Sequence, residues 1–202
     1  MSDFSDRQKQ IVLTSIQLIA EKGIQGLTIR NLSRRIGISE PAIYRHFDSK
    51  IDIILGILAY FRDGSLPVLK RILTSGSSSI EKLELVFLNH FERFRKEPAL
   101  ASVVFSEEIF QDDHRLSSEI SSIMSENRMV VSKIIREGQQ GKEIRQDISC
   151  EHLSMIIMGS LRLLIKNWRL SEFSFDLYET GSSLWNSLEK LLKGTCHEDN
   201  QC

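Results

Sequence analysis

The sequence predicts an all-α protein in which a short N-terminal unit of three helices, residues 1–50, precedes a larger helical domain, residues 51–202. Three observations lead to this fold class. Apolar residues recur at the 3.6-residue spacing of amphipathic helices through most of the chain. Only 3 Pro and 11 Gly interrupt the 202 residues, in which Leu, Ile, Ser, Glu and Lys are frequent. Turn-forming clusters divide the chain into about nine helical segments.

The first fifty residues contain three helical segments with clear start and stop signals. Residues 6–22 carry an apolar stripe at helical spacing and end at Gly23. Thr28 is a typical N-cap for a second helix, which Gly37 ends in a tight turn. Ser39 caps a third helix, and the proline in its first turn does no harm because the N–H it lacks would be unpaired anyway. Two helices joined by about three residues around a glycine form a helix-turn-helix.

The remaining helices are longer, and turn-forming residues mark their limits. A fourth helix is predicted over residues 49–63, where Ser49 and Asp52 have capping-box spacing, and Gly64 and Pro67 are expected to kink or end it. The segment TSGSSS then forms the clearest turn of the chain. Later helices are predicted over residues 80–96, from Pro98 onward, over 113–138 with Gly138 and Gly141 at the end, over 150–170 and over 174–193.

The helix-turn-helix carries a local excess of positive charge. Residues 1–50 hold eight basic and five acidic side chains, a net charge of +3, whereas the whole chain has a net charge of −1. Such an excess favours an anionic partner. The second helix of a helix-turn-helix enters the major groove of DNA. Ile43 and Phe47 are expected to anchor the inner face of that helix, and the outward residues are Ser39, Glu40, Ala42, Arg45 and His46.

Residues 7–58 resemble the DNA-binding domain of the TetR family of transcriptional regulators. The resemblance rests on the segment IVLTSIQLIAEKGIQGLTIRNLSRRIGISEPAIYRHFDSKIDIILGIL, in which AEKG, IGIS, AIYRHF and the SK before an apolar helix stand at the family's spacing. Ser33, where Ala is usual, and Ile38, where Val is common, are mild departures. The resemblance implies phosphate contacts by Thr28, Tyr44 and Lys50, groove-facing positions for Ser39, Glu40, Pro41, Ala42, Arg45 and His46, and a base-reaching position for Arg30.

The chemistry of these residues fits the implied roles and leaves two of them open. Arginine can pair bidentately with guanine, and alanine or proline can pack on the methyl group of thymine. Glu40 either accepts a hydrogen bond from cytosine or stabilises the positive end of its helix, and we favour the second role. His46 is either a phosphate donor or a buried residue. Arg34 and Arg35 are expected to act through general electrostatics.

The sequence lacks the residue patterns of an enzyme or a metalloprotein. No histidine has the spacing of zinc-binding or di-iron helices, and no glycine-rich phosphate loop occurs. The acidic run that ends at His114 is interpreted as a helix end and turn. We therefore expect no catalytic residue, no metal and no cofactor. The polar N-terminus, the three late cysteines and the lack of a long apolar run favour a reduced, cytoplasmic protein without membrane contact.

The last two helices carry more apolar surface than one core-facing stripe requires. Either a partner surface or a tightly packed monomeric core would explain this excess. In the TetR family the last two long helices pack against the same pair of a second subunit, so the resemblance implies a homodimer. Two recognition helices related by a dyad would then read a palindrome. The residues predicted at the dimer interface are Leu161, Leu164, Leu184 and Leu188.

These observations favour a ligand-responsive repressor that is released from a palindromic operator in double-stranded DNA by a small, mainly apolar ligand. The candidate ligand contacts are apolar or aromatic residues with polar neighbours in the later helices: Phe61, Phe87, His90, Phe91, Phe105, Phe110 and Trp168. One alternative is a DNA-binding regulator that a protein partner controls. The other is a helical enzyme that carries a helix-turn-helix. Salt-dependent binding to random DNA would separate the regulators from the enzyme.

Overall fold

The computed structural model of the chain describes residues 4–106 and 113–194. All regular structure within these ranges is helical, which confirms the predicted all-α class. A short 3-10 turn, Ile24–Gly26, follows the first helix, and none of the helices described combines the length and apolar character needed to cross a membrane. The helices are α1 (Asp6–Lys22), α2 (Ile29–Ile36), α3 (Glu40–Tyr44), α4 (Lys50–Leu73), α5 (Ser79–Lys96), α6 (Pro98–Val104), α7 (His114–Gln140), α8 (Cys150–Leu170) and α9 (Leu177–Lys193).

The first two helices begin and end at residues with recognisable capping chemistry. Ser5 and Gln8 form a reciprocal capping box at the start of α1, and Gly23 ends that helix with a positive φ of 66°. The Thr28 hydroxyl accepts a hydrogen bond from a backbone N–H in the first turn of α2. Gly37 follows α2 in the left-handed conformation, with φ 78°, and a residue with a Cβ would be strained there. The turn between α2 and α3 therefore depends on this glycine.

Helix α4 is longer than the sequence predicted. It continues through Gly64 and Pro67 and ends at Leu73. A proline inside a helix removes one backbone hydrogen bond, but the residues that follow it supply apolar burial that offsets this loss. Leu69 is 2% exposed and Ile72 is 8% exposed. The burial of these residues thus outweighs the helix-breaking tendency of Gly64 and Pro67.

Of the two glycines predicted at the end of α7, only Gly141 stands there, because the helix continues through Gly138 to Gln140. A Cβ at Gly138 would lie 2.7 Å from both the Ser79 Cβ and the Ile144 Cδ1 atom. Such distances are far below van der Waals contact, so only a glycine lets these segments approach so closely. The glycine therefore serves close packing at this position rather than chain termination.

Contacts between Cα atoms divide the chain into two compact units, and the first comprises Met1–Val68 with Phe94–Glu126. Its core contains apolar residues of α1, α2, α3 and α4 that are almost entirely buried. Phe94 packs between two other rings, with centroid distances of 5.5 Å to Phe61 and 5.3 Å to Phe105. The predicted boundary at residue 50 thus falls inside a compact unit, and the functional division at that point stays a prediction.

The second unit comprises Leu69–Arg93 with Asn127–Cys202. Phe87 lies at the centre of an aromatic cluster, with centroid distances of 4.9 Å to Phe91 and 5.6 Å to Trp185. A Cβ at Gly181 of α9 would lie 2.2 Å from the Phe91 ring of α5, so the glycine permits a close approach of these two helices. The Arg145 backbone N–H donates to the Leu192 carbonyl oxygen at 2.9 Å and joins the segment before α8 to the end of α9.

One buried histidine interrupts the apolar interior of the second unit. His90 is 5% exposed, and its Nδ1 atom lies 2.9 Å from the Val86 carbonyl oxygen. Burial lowers the pKa of His90, and the positive charge of Arg93 lowers it further, against the hydrogen bonds to Val86 and Asn127 that raise it. His90 is therefore neutral near pH 7, and Nδ1 carries the proton that is donated to the Val86 oxygen.

We expect the protein to lose stability as the pH falls below about 6.5, the ordinary pKa of histidine in an unfolded chain. The unfolded state takes up a proton at His90 in that range and the folded state does not. The free energy of unfolding should therefore fall by up to about 1.4 kcal/mol per pH unit from this residue. Urea unfolding at several pH values measures the slope. His90→Gln should flatten it, and the exposed His152→Gln should not; equal slopes in all three proteins would contradict the assignment.

Candidate nucleic-acid interface

Helix α3 is held by its inner face, which fixes the side that it presents to solvent. Ile43 is fully buried and Phe47 nearly so. The Phe47 ring packs edge-on against Phe4, with centroids 6.2 Å apart. The side-chain amide of Gln8 in α1 donates to the backbone oxygen of His46 at 3.3 Å. Anchoring from the first helix thus orients the recognition helix.

All ten residues predicted to contact DNA are at least partly exposed. Tyr44 is 48% exposed, which is high for an aromatic residue and leaves its hydroxyl accessible. Ser39 stands at the N-cap of α3, but its side chain makes no capping hydrogen bond, in contrast to the expectation from sequence. Thr28, Arg30, Ser39, Glu40, Pro41, Tyr44 and Arg45 are exposed, and Ala42, His46 and Lys50 are half-buried.

Thr28 can combine capping with a contact to phosphate. Its hydroxyl oxygen accepts the Asn31 backbone N–H at 3.1 Å, which leaves the hydroxyl hydrogen to donate elsewhere. The Asn31 side-chain amide in turn donates to the Gly26 oxygen at 2.9 Å and fixes the approach to α2. The threonine at this N-cap therefore stabilises the start of α2 and still has a hydroxyl hydrogen that it can donate.

The basic residues of the helix-turn-helix differ in how their charge is used. Arg35 forms a two-armed ion pair with Glu21, and its side-chain hydrogen bond lowers the pKa of that carboxyl. The side chains of Arg30, Arg34 and Arg45 have no hydrogen-bond or ion-pair partner within residues 4–106 and 113–194. Arg35 is thus already paired, whereas these three guanidinium groups can bind an anion without losing an internal contact.

Lys50 begins α4 beside a small polar cluster. The Ser49 hydroxyl accepts the Asp52 backbone N–H at 3.2 Å and lies 2.6 Å from an Asp52 carboxylate oxygen, which agrees with the capping spacing seen in the sequence. The other carboxylate oxygen accepts from Arg115 at 2.8 Å. Arg115 was not predicted from the sequence, because a partner 63 residues away leaves no local pattern.

The residues predicted to contact a ligand fall into separate clusters, and their role stays a prediction. Phe61 and Phe105 pack against Phe94 in the first unit, whereas Phe87 and Phe91 pack with Trp185 beside His90 in the second. Trp168 contacts Phe173 and donates from its indole nitrogen to the Phe175 oxygen at 2.9 Å. Phe110 lies outside the described residues. Phe94 and Trp185 complete the two larger clusters, and neither is among the candidate ligand contacts predicted from the sequence.

The four residues predicted at a dimer interface are not equivalent. Leu161 and Leu188 are 3% and 5% exposed within the single chain, whereas Leu164 and Leu184 are half-buried. The first two therefore belong to the core of the second unit in the isolated chain. The interface itself stays a prediction. In the part of the chain that the structure describes, no group of three or more His, Cys, Asp or Glu residues is placed to hold a metal ion.

Known proteins with similar sequences and folds include regulators of two kinds. The fatty acid metabolism regulator protein of Bacillus subtilis is 24% identical over 185 residues, covering 92% of this chain and 93% of that protein. The nucleoid occlusion factor SlmA of Vibrio atlanticus is 24% identical over 194 residues, covering 94% and 97%. The crystal structure of the transcriptional regulator FadR from Bacillus subtilis with stearoyl-CoA has a TM-score of 0.75 at 23% identity, covering 89% and 96%. These chains share the fold over nearly their whole lengths.

Two family models together span most of the sequence. Residues 11–57 match the model of bacterial regulatory proteins of the tetR family. Residues 67–192 match the model of the C-terminal region of YsiA-like proteins, which extends over more than half of the chain. The first match coincides with the helix-turn-helix described above, and the second covers most of the later helices. The chain therefore belongs to the TetR family of DNA-binding transcriptional regulators.

Proposed function

We propose that the protein is a homodimeric repressor that binds a palindromic operator and is released from it by a fatty acyl-CoA. The observation that carries the DNA part is the C-terminal end of α3, where the side chain of Arg45 is exposed and makes no hydrogen bond or ion pair with a described residue. Such a side chain can pair with a guanine in the major groove without breaking a contact in the protein. Thr28, Tyr44 and Lys50 contact phosphates and fix the orientation of that helix.

Exposed apolar residues on the last two helices support the dimer. On α8, Met155 is 69% exposed, Leu163 59% and Leu170 65%. Ile156, Leu163 and Leu170 follow each other at intervals of seven residues, so they lie along one stripe. A Cβ at Gly159, between them, would have no neighbour within 4 Å, so a second helix can approach there. On α9, Tyr178 and Leu191 are exposed apolar or aromatic residues as well, at 40% and 37%.

This stripe refines the predicted interface. In the proposed interface the exposed Leu163 and Leu170 replace Leu161 and Leu188, which are buried within the single chain. Leu164 and Leu184 remain at the edge, since both are half-buried in the single chain. A continuous apolar stripe on a surface helix is a typical site of association with a partner. The same pair of helices from a second copy would cover it.

The interior of the second unit supports a ligand whose buried part is mainly apolar. Phe87, Phe91 and Trp185 pack together there, and the Trp185 indole nitrogen has no acceptor within the two described ranges, although the residue is 1% exposed. A buried donor without a partner costs about 1–3 kcal/mol. An oxygen on an otherwise apolar ligand would recover that energy. A long-chain acyl thioester fits this description, and the Bacillus subtilis relative crystallised with stearoyl-CoA motivates the choice.

A two-step binding experiment tests the proposal. Sites are first selected from random DNA with the purified protein, and stearoyl-CoA, free CoA and stearate are then titrated against the bound complex. We expect a palindromic site and release by stearoyl-CoA at a concentration at which free CoA has no effect. A ligand releases DNA only if it binds the free state more tightly, so binding and release should titrate together. A selected site without dyad symmetry would contradict the dimeric repressor, and failure of acyl-CoAs of every chain length would contradict the effector.

A second candidate is a DNA-binding regulator controlled by a protein partner. It is favoured by the relative from Vibrio atlanticus, which is named for nucleoid occlusion rather than for a metabolite and is as similar in sequence as the fatty acid regulator. The same titration distinguishes the two candidates, because a regulator controlled by a protein partner would remain bound to DNA at every concentration of acyl-CoA.

A further inference from the structure

An acidic side chain stands beside the lysine that we assign to a phosphate. Asp52 lies two residues after Lys50 in the first turn of α4. One of its carboxylate oxygens lies 2.6 Å from the Ser49 hydroxyl, which itself caps the helix. The Asp52 side chain is 24% exposed, so solvent screens its charge incompletely. At the start of α4, the Lys50 ammonium group, which attracts DNA, therefore lies close to the Asp52 carboxylate, which repels it.

Arg115 reaches this carboxylate from the first turn of α7. Its Nη1 atom donates to Asp52 at 2.8 Å, while its Nε and Nη2 atoms each lie 3.3 Å from Asp113. The Asp113 carboxylate also accepts the Arg115 backbone N–H at 2.8 Å. The hydrogen bond from the Arg115 side chain lowers the pKa of Asp113. Asp113 is thus held in place and directs the guanidinium toward Asp52.

The effect of this contact on DNA binding follows from distance and charge. Lys50 and Asp52 stand within one helical turn, closer together than the Debye length of about 8–10 Å at moderate salt. A phosphate near Lys50 is therefore also exposed to the charge of Asp52. The guanidinium of Arg115 compensates that charge at contact distance. Lys50, Asp52, Arg115 and Asp113 together carry no net charge, and loss of Arg115 would leave this group with a net charge of −1 beside the phosphate.

We propose that Arg115 is a positioning residue for DNA binding, which offsets the charge of Asp52 and keeps the start of α4 from repelling a phosphate, without touching DNA itself. The inference rests on the proposed phosphate contact of Lys50. It also accounts for the presence of an acidic residue at an interface with DNA. Asp52 contributes to the start of α4 through Ser49, and Arg115 offsets the repulsion that this carboxylate would otherwise cause.

The chain provides a matched control in a second ion-pair cluster between the same two helices. Arg62 of α4 pairs with Glu126 and, at 3.3 Å, with Glu119 of α7. Arg62 lies ten residues beyond Asp52, or about 15 Å along the helix, which is farther than the Debye length. If Arg115 merely fastened α4 to α7, loss of Arg62 should affect DNA binding in the same way. If charge at the phosphate matters, loss of Arg62 should leave DNA affinity unchanged.

Fluorescence anisotropy with a random-sequence duplex, at several salt concentrations, measures the effect. Arg115→Gln should weaken binding about threefold to tenfold at low salt, and less at high salt, because the lost attraction is electrostatic. Arg115→Lys keeps the charge and should bind more tightly than Arg115→Gln, although one ammonium group cannot reproduce all the contacts of the guanidinium. Asp52→Asn keeps the acceptor for Ser49, and adding it to Arg115→Gln removes one negative charge for the positive charge that was lost, so the double variant should bind about as tightly as the natural protein. Arg62→Gln should bind as the natural protein does.

Circular dichroism identifies a temperature at which every variant is folded, and the comparison is made there. Unchanged binding by Arg115→Gln would overturn the inference, as would a loss that Asp52→Asn does not rescue. An unrescued loss together with a salt slope smaller by about one phosphate would show that Arg115 itself contacts DNA.

The variant Lys50→Ala tests the proposed phosphate contact of Lys50 separately from the role of Arg115. If Lys50→Ala weakens binding and Arg115→Gln does not, only the role of Arg115 fails; if neither variant weakens binding, both assignments fail.

Discussion

Leu161→Asp is expected to unfold the C-terminal helices, whereas Leu163→Asp should leave a folded monomer. Leu161 and Leu163 are two residues apart in α8, and they are 3% and 59% exposed. In Leu161→Asp the core loses a packed side chain and gains a carboxylate with no partner, at a cost of about 4 kcal/mol or more. This is a large part of the about 5–15 kcal/mol that stabilises an ordinary domain. Circular dichroism and urea unfolding measure the loss.

Leu163→Asp tests the interface rather than the core. The substitution is chemically identical, but the side chain is exposed in the single chain, so the free energy of unfolding of the monomer should change little. In the proposed dimer, both copies of the charge would be buried, at about 1.4 kcal/mol or more each, and the dissociation constant should rise about 100-fold or more. Sedimentation at micromolar concentration should show a monomer that binds random DNA but no longer selects a palindrome.

Two results would contradict this account. A Leu163→Asp protein that sediments as a dimer would remove α8 from the interface. A Leu161→Asp protein that stays folded and becomes monomeric would mean that Leu161 is covered by a second chain rather than by its own. Leu188→Asp provides an independent test on α9, where the residue is 5% exposed, and it should behave as Leu161→Asp does.

The helix-turn-helix could be predicted closely because its determinants are local. Thr28 caps α2 within three residues, and Gly37 ends it through its own positive φ. The limits of α1, residues 6–22, agree with the prediction for the same reason, since a capping box and a glycine set them. A hydrophobic stripe and a cap lie within a few residues of each other, so the sequence contains nearly all the information that fixes these elements.

Features that depend on distant residues could not be predicted in this way. Pro67 and Gly138 are strong local breakers, but packing around them carries both helices onward. The sequence of an apolar helix such as α8 shows which residues are apolar, but not which of its two faces meets its own core. The difference in exposure between Leu161 and Leu163 could therefore not be predicted. The contact of Arg115 with Asp52 joins residues 63 positions apart and leaves no periodic signal.

Specific recognition of one base pair should be lost when Arg45 is replaced by Ala. The side chain is exposed on the outer face of α3 and makes no hydrogen bond or ion pair with any residue that the structure describes. Its removal should therefore leave the thermal stability of the protein unchanged. A bidentate pair between arginine and guanine contributes about 1–3 kcal/mol of discrimination, so affinity for the selected site should fall about 5-fold to 150-fold.

Lys50→Ala is the matched control, because it removes a positive charge that carries no sequence information. It should weaken binding to every sequence by a similar factor and reduce the salt slope by about one phosphate. Sites selected by Arg45→Ala from random DNA should instead keep the palindrome while one position in each half-site becomes degenerate. If the sites selected by Arg45→Ala are identical to those of the natural protein, Arg45 contacts the backbone only, and the base contact must be sought at Arg30 or Ser39.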